Sequence, residues 1–252
     1  MNFHPAIRIF SLLLLGLAPA PAQTTNTFTG ASGGLWSAAT NWSLGTVPTT
    51  NQNVLINSNT TVNVQANSSA GAITLSGNDA RINVQLNVPL SASGITCTGT
   101  SGNVPIYMDA GTLNLNGGAG SITTSGGVHS YLHINGDATV NLASANLTYL
   151  WLKSGGSTPA QLTITNGQTF SAVITYLAGI PASGQSTLHL NGGTLNAGTM
   201  IFNVTAGAYT NTFNFNSGTL TADTIRRDFD GTSLAFNWND GTIQNRSGGN
   251  LT

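Results

Sequence analysis

Three groups of side chains in this sequence have the types and spacing to do chemistry. The stretch from Trp36 to Trp42 sets two indole rings beside Asn41 and Ser43, a combination that stacks on a sugar face and hydrogen-bonds its hydroxyls. The same rings would also serve as an apolar plug over the end of a repeat array, where terminal segments are atypical in sequence; the plug is the preferred reading. Asp228 and Asp230, in Arg226-Arg-Asp-Phe-Asp-Gly231, open like the Asp-x-Asp of a calcium loop, but the further ligands and the closing Glu are missing. With two arginines alongside, a charged turn with local ion pairs is expected there instead. His129 and His133 are four apart, a spacing that converges on a helix but not on a strand, and no nearby acid completes a zinc set. His133 and His189 are expected to be solvated outward residues. The other acids, among them Asp79, Asp109, Asp137, Asp223 and Asp240, are scattered singly, and Lys153 is the only lysine. A polysaccharide hydrolase needs two carboxylates within roughly 5 to 10 Å, so catalysis is expected only if stacking pairs acids that are distant in sequence. No catalytic residue, metal ligand or cofactor is assigned, and Trp36, Asn41 and Trp42 stand as the sugar-contact candidates.

The elements that position these groups must be built almost without charge. Among 252 residues there are 6 Lys+Arg and 7 Asp+Glu, all seven of them Asp, and the formal net charge is -1. Such a chain has no basic stripe to neutralise phosphates, which excludes nucleic acid as a main partner. The absence of Glu, with 31 Gly and abundant Asn, Thr and Ser, excludes a helical protein and favours turns and strands. An apolar share of 40% at low net charge separates the chain from disordered Gly/Ser-rich segments. At the start, Arg8 precedes an apolar run from Ile9 to Leu17 and then Ala20-Pro21-Ala22, the pattern of an export signal with cleavage expected after Ala22. No stretch reaches the ~20 apolar residues of a membrane-spanning helix, so no transmembrane segment is expected in the mature chain. One cysteine, Cys97, cannot staple the fold by an internal disulfide. The fold must hold by burial and backbone pairing, with Cys97 as a small buried apolar group.

Repetition supplies the architecture. An apolar-x-apolar triplet followed closely by Gly occurs eight times, beginning at Ile73, Ile95, Leu113, Leu132, Leu162, Leu188, Phe213 and Phe236, at a mean spacing of roughly 23 residues, within the solenoid range. Within each copy the side chains alternate, so Leu188 and Leu190 share one face and His189 and Asn191 the other. Glycine then permits the positive φ of a corner. Coils of two or three such strands, stacked in parallel, give inward apolar columns and outward polar ones, with Asn amides stacking from coil to coil. The prediction is an all-β parallel β-helix of about eight or nine coils, roughly 40 Å long at ~4.8 Å per coil. Residues 1–22 form the signal, 23–60 an N-terminal cap and 61–252 the solenoid. An antiparallel sandwich is the alternative fold, but it leaves the matching side chains at coil-length intervals unexplained. Tyr149 and Trp151 alternate with Leu150, so either the two aromatics or the leucine must face outward.

Two stretches resemble a known family. Asn191-Gly-Gly-Thr-Leu195, Asn216-Ser-Gly-Thr-Leu220 and Asn239-Asp-Gly-Thr-Ile243, each after an apolar-x-apolar strand, are similar to the autotransporter-associated β-strand repeat of exported bacterial surface proteins. The Trp36, Asn41-Trp42 and Pro48 segment resembles the one that often opens such chains after the signal. The resemblance implies a β-helical passenger outside the cell or at its surface, adhesin-like or structural rather than catalytic, with surface glycans or matrix as partners. The chain departs from the family in lacking the aromatic strands of a C-terminal barrel and a Pro-Glu-Pro sorting tail. Its stop directly after a repeat is what a short secreted member or a truncated reading frame would show. The expected function is therefore a structural or adhesive exported protein; a glycan-binding module is the alternative, and a polysaccharide-active β-helix enzyme the third.

Overall fold

The computed structural model describes residues 23–154, 158–177, 183–202, 208–228 and 233–246, and the fold is a parallel β-solenoid of about eight turns. The signal segment and Asp230 lie outside the described residues. Each coil carries three strands, which gives the rod three faces. One coil consists of Ala72–Ser76, Arg81–Val84 and Pro89–Ala92, and the next of Gly94–Gly99, Asn103–Met108 and Thr112–Leu115. A third follows with Ser121–Gly126, His129–Ile134 and Thr139–Asn141. Equivalent strands pair in parallel and in register: Ile73 with Ile95 and then Ile122 on the first face, Ile82 with Ile106 and Leu132 on the second, and Leu90 with Leu113 and Val140 on the third. All nine of these side chains are at least 95% buried. The sequence alternation thus becomes one continuous column of apolar side chains per face, with removal from water as the main driving force.

Corners are made where the chain adopts a left-handed backbone. Asn59, Asp79 and Asn87 take positive φ at corners of the early coils, a conformation whose cost Asn and Asp offset with short polar side chains. Glycine is required at Gly218, where φ is +103 and an added Cβ would collide with the Gly193 carbonyl of the preceding coil. In the later coils the corners soften enough for Ser183–Phe202 and Ala208–Arg227 to run as 20-residue strands across the faces. A register irregularity between Leu190 and Thr194 bends them at the Asn-Gly-Gly corner.

The eight apolar-x-apolar copies are not equivalents of one another. Ile73 and Ile95 lie on the first face and Leu132 on the second, whereas Leu113, Leu188, Phe213 and Phe236 lie on the third. The expectation that consecutive copies mark consecutive coils is corrected for the first half of the chain, because three strands of the same alternation in one coil look alike to a local search. In the second half it holds. Leu190 pairs with Phe215, and stacked Asn amides follow one another at 25 and 23 residues.

The segment read as a cap joins the stack directly. Thr24–Thr27 pairs in parallel with Gln52–Asn57, which pairs with Ala72–Ser76, and Gly34–Leu35 pairs with Thr61–Val64. Its loop is held by buried Asn26, whose Nδ2 donates to Thr46 O and whose Oδ1 accepts from the Leu44 N–H.

Candidate functional site

Among the described residues, outward positions of the second face build the densest cluster of aromatic and ionisable side chains. Parallel register places Tyr107 against His133, His133 against Trp151 and Trp151 against Tyr176; one step across, Tyr131 lies against Tyr149. Leu150, between Tyr149 and Trp151, is fully buried, so of the two phases left open in the sequence the outward-aromatic one is adopted. Adjacent rings stack at 4.5 Å for Tyr107 on His133, 5.2 Å for His133 on Trp151 and 4.5 Å for Tyr131 on Tyr149, with planes within 27°. Trp151 and Tyr176 are tilted, at 5.1 Å. Two cations flank the ladder: Arg81 lies 5.1 Å from the Tyr107 ring and Lys153 5.8 Å from that of Trp151.

This geometry decides what the ladder can do. Rings stacked along the coil axis spend their faces on one another, so the inner rings His133 and Trp151 offer no open face for a sugar ring. They act as a strap between coils, each pair contributing ~0.5–1.5 kcal/mol. His133 is 7% exposed, which corrects the expectation of a solvated residue: it points outward, but the neighbouring rings cover it. Its Nδ1 and the Trp151 Nε1 have no hydrogen-bond partner. Burial, with Lys153 and Arg81 adding to it, lowers the His133 pKa to about 4. Burial and then neighbouring Tyr149 push the Tyr131 phenol up.

The first face carries a different pattern. In-register outward positions form a row of Ser121, Ser144, Thr169, Thr194, Thr219 and Thr242, and a parallel row includes Thr74, Thr96 and Thr123. Neither row contains a charge, and the Thr123 hydroxyl donates to the Thr96 hydroxyl at 3.2 Å. On the third face the stacked amides expected from the sequence are present. Asn239 Nδ2 donates to Asn216 Oδ1, and Asn216 Nδ2 to Asn191 Oδ1, at 2.7 and 2.8 Å. His189 joins a second row, 3.2 Å from the Asn214 amide nitrogen.

The indoles of the sugar-contact candidates are turned inward, and the Asn41 amide is engaged within the loop. Trp36 and Trp42 are 0% and 2% exposed and pack edge-to-face at 4.9 Å, with Trp42 Nε1 donating to Trp36 O at 2.7 Å. Phe28 packs on Trp42 at 5.1 Å. Asn41 Nδ2 donates to Leu35 O at 3.0 Å, so its amide closes the loop. A short loop at the end of a stack has apolar surface to cover, and the indoles are drawn inward to cover it. Arg226 and Asp228 form the expected ion pair at 2.8 Å. His129 meets Tyr149 edge-on at 6.0 Å and makes no ion pair among the described residues. Stacking sets Asp109 beside Asn135, whose Nδ2 donates to it at 2.7 Å, and Asp137 beside Gln161, so neither position pairs with a second carboxylate. Among the described residues no three His, Cys, Asp or Glu side chains are placed to hold a metal, and no helix is long and apolar enough to cross a membrane.

Sequence reasoning missed the full ladder: Tyr107 alternates with buried Ile106 and Met108, but Tyr131 and Tyr176 each have a buried polar neighbour, Ser130 and Thr175, which blurs the alternation. The missing quantity was coil register, which the variable corner lengths of the early coils hide. No family model, curated protein or solved structure matches the chain.

Proposed function

We propose that this chain is an exported repeat protein with a structural or adhesive role at the cell surface or in extracellular matrix. The observation that carries this reading is the uncharged row of hydroxyls on the first face, Ser121, Ser144, Thr169, Thr194, Thr219 and Thr242, repeated coil by coil. One hydroxyl contact is weak, but identical groups at a fixed ~4.8 Å repeat engage an extended surface together, and linked contacts gain avidity without any single strong site. The export signal expected over residues 1–22 and the resemblance to autotransporter-associated repeats support the same location.

Two measurements test the proposal. N-terminal sequencing of secreted protein should begin at Gln23. Beads coated with residues 23–252 should be retained on chitin and on silica against flow, equally in low and high salt, since salt screens charges and leaves neutral hydrogen bonds. A Thr169→Val, Thr194→Val, Thr219→Val triple variant keeps the strand-favouring shape and removes three hydroxyls. It should unfold at the parent's temperature and lose most retention. Equal retention of the variant and the parent, or loss of parental retention in salt, would sink the adhesive reading.

A further inference from the structure

The third face breaks its own pairing once, and a hollow of mixed polar and small apolar lining lies on either side of a shared asparagine. Strands Ser68–Ser69, Pro89–Ala92, Thr112–Leu115 and Thr139–Asn141 form a four-stranded parallel sheet. The next strand on that face, Ala160–Thr165, is attached to this sheet through the single bridge of Asp137 with Gln161. A cavity of about 420 Å³ lies toward the early coils, lined by Gln23, Thr50, Ser91, Ser93 and Asn114 among others. A second, also about 420 Å³, lies toward the later coils, lined by Thr112, Asn114, Asp137, Asn141 and Thr165 among others. Asn114 lines both. The two hollows thus follow one another along the rod axis, with Asn114 between them, as a groove of two halves from the coil of Thr50 to that of Thr165. The register runs from Thr50 through Ser69, Ser91, Asn114 and Asn141 to Thr165, five coil steps, or about 24 Å at ~4.8 Å each.

From this lining we infer that the groove is a binding site for an extended, neutral oligosaccharide. Between small apolar groups such as Ala70, Ala92 and Ala138, the lining carries hydroxyls and carboxamides, groups that pair with vicinal sugar hydroxyls as both donors and acceptors. Asn141 Nδ2 donates to Asn114 Oδ1 at 2.8 Å, which fixes both amide planes and leaves the Asn114 NH₂ and the Asn141 carbonyl oxygen for a ligand. Charge selects the class. Asp137 is the only ionisable side chain in either lining and no Lys or Arg is present, so a uronate or sulfated chain would meet repulsion and no counter-charge, whereas the carboxylate accepts from a pair of neutral hydroxyls. Shape selects an extended chain: a β-linked hexose advances along its polymer by nearly one coil step, so successive sugars meet successive rungs. With no aromatic platform in the groove, binding is weak per sugar and grows with chain length. The aromatic ladder of the second face and the hydroxyl rows of the first take no part, and the site does not depend on the adhesive reading.

The experiment is titration calorimetry of residues 23–252 with three neutral hexasaccharides, cellohexaose, xylohexaose and mannohexaose, and with polygalacturonate as the anionic control. At least one neutral probe should bind with a dissociation constant on the order of 1 mM, and its trisaccharide should bind at least tenfold more weakly. Asn114→Ala should weaken the hexasaccharide at least tenfold while the unfolding temperature stays at the parental value. Thr112→Trp, which fills the later hollow from an outward position, is the second variant and should abolish binding. The Thr169, Thr194 and Thr219 valine triple should bind as the parent does, so failure of the groove and failure of the first-face adhesion are read separately. The inference is overturned if none of the neutral probes saturates, if polygalacturonate binds in their place, or if both groove variants bind as the parent does.

Discussion

Acidification should loosen the second face through one residue, His133. It lies 7% exposed between Tyr107 and Trp151, stacked at 4.5 and 5.2 Å, with the cationic groups of Arg81 and Lys153 beside those same two rings. Its pKa is lowered from 6.5 to about 4, first by burial and then by Lys153 and Arg81. A folded-state pKa below the unfolded one means that the fold favours the neutral ring. The stabilising contribution is therefore complete above pH 6.5, falls as the pH drops toward 4, and is gone below it. Each tenfold change in proton affinity is worth ~1.4 kcal/mol, so the full loss is about 3 kcal/mol. The informative perturbation is His133→Phe, which keeps a flat ring in the stack and cannot titrate. Urea unfolding followed by tryptophan fluorescence, at pH 7, 5.5 and 4, gives the difference between parent and variant. Contributions from the carboxylates are common to both proteins and cancel. Parent stability should fall relative to the variant by about 1 to 2 kcal/mol at pH 5.5 and about 3 kcal/mol at pH 4. A constant difference across the three pH values would refute the reasoning, because it would mean that the imidazole is as easily charged in the ladder as in the unfolded chain.

Four further outcomes follow from the stacking. Leu190→Asp places a charge in the inward column beside Phe215 and should cost several kcal/mol or unfold the adjacent coils, whereas His189→Asp, one residue away and outward, should change stability by about 0.5 kcal/mol, both read by urea denaturation. Cys97 is fully buried and its thiol is pushed up to about 12, so thiol reagents should label it only after denaturant is added; rapid native labelling would contradict its inward phase. His189→Cys with Asn214→Cys in a Cys97→Ser background puts two thiols on paired, accessible positions at ~4.8 Å and should give a disulfide under mild oxidation, detected by mobility on a denaturing gel, while His189→Cys with Asn237→Cys, two coils apart, should not. Gly218→Ala, at φ +103 against the Gly193 carbonyl, should destabilise by more than 1 kcal/mol in thermal unfolding, where a glycine in open space such as Gly45 tolerates bulk better.

The sequence by itself determined the class of fold, the alternation within strands and the inward phase of Cys97 and Leu190. Period-two patterning and an almost chargeless composition are local properties, and hydrophobic burial turns them into a stacked parallel sheet whatever the exact corner lengths. The Asn amide rows around Asn191, Asn216 and Asn239 were legible for the same reason, because the late coils keep a nearly constant length and Asn recurs at the same corner. Tertiary structure alone decided which strand faces which. In the early coils the corners after Ser76, Gly99 and Gly126 differ in length, so Leu113 and Ile95 look like neighbours in one repeat and lie on different faces. Register likewise made Tyr107, His133, Trp151 and Tyr176 into a ladder and buried a histidine that its outward phase had marked as solvated. It also drew Trp36 and Trp42 inward, since an indole at the end of a stack removes more apolar surface from water by covering the coil than by waiting for a sugar. The groove beside Asn114 depends on the lost pairing between Thr139–Asn141 and Ala160–Thr165. Its residues come from coils spread over more than a hundred positions of the chain, and only the path of the backbone through space brings such distant side chains to one wall.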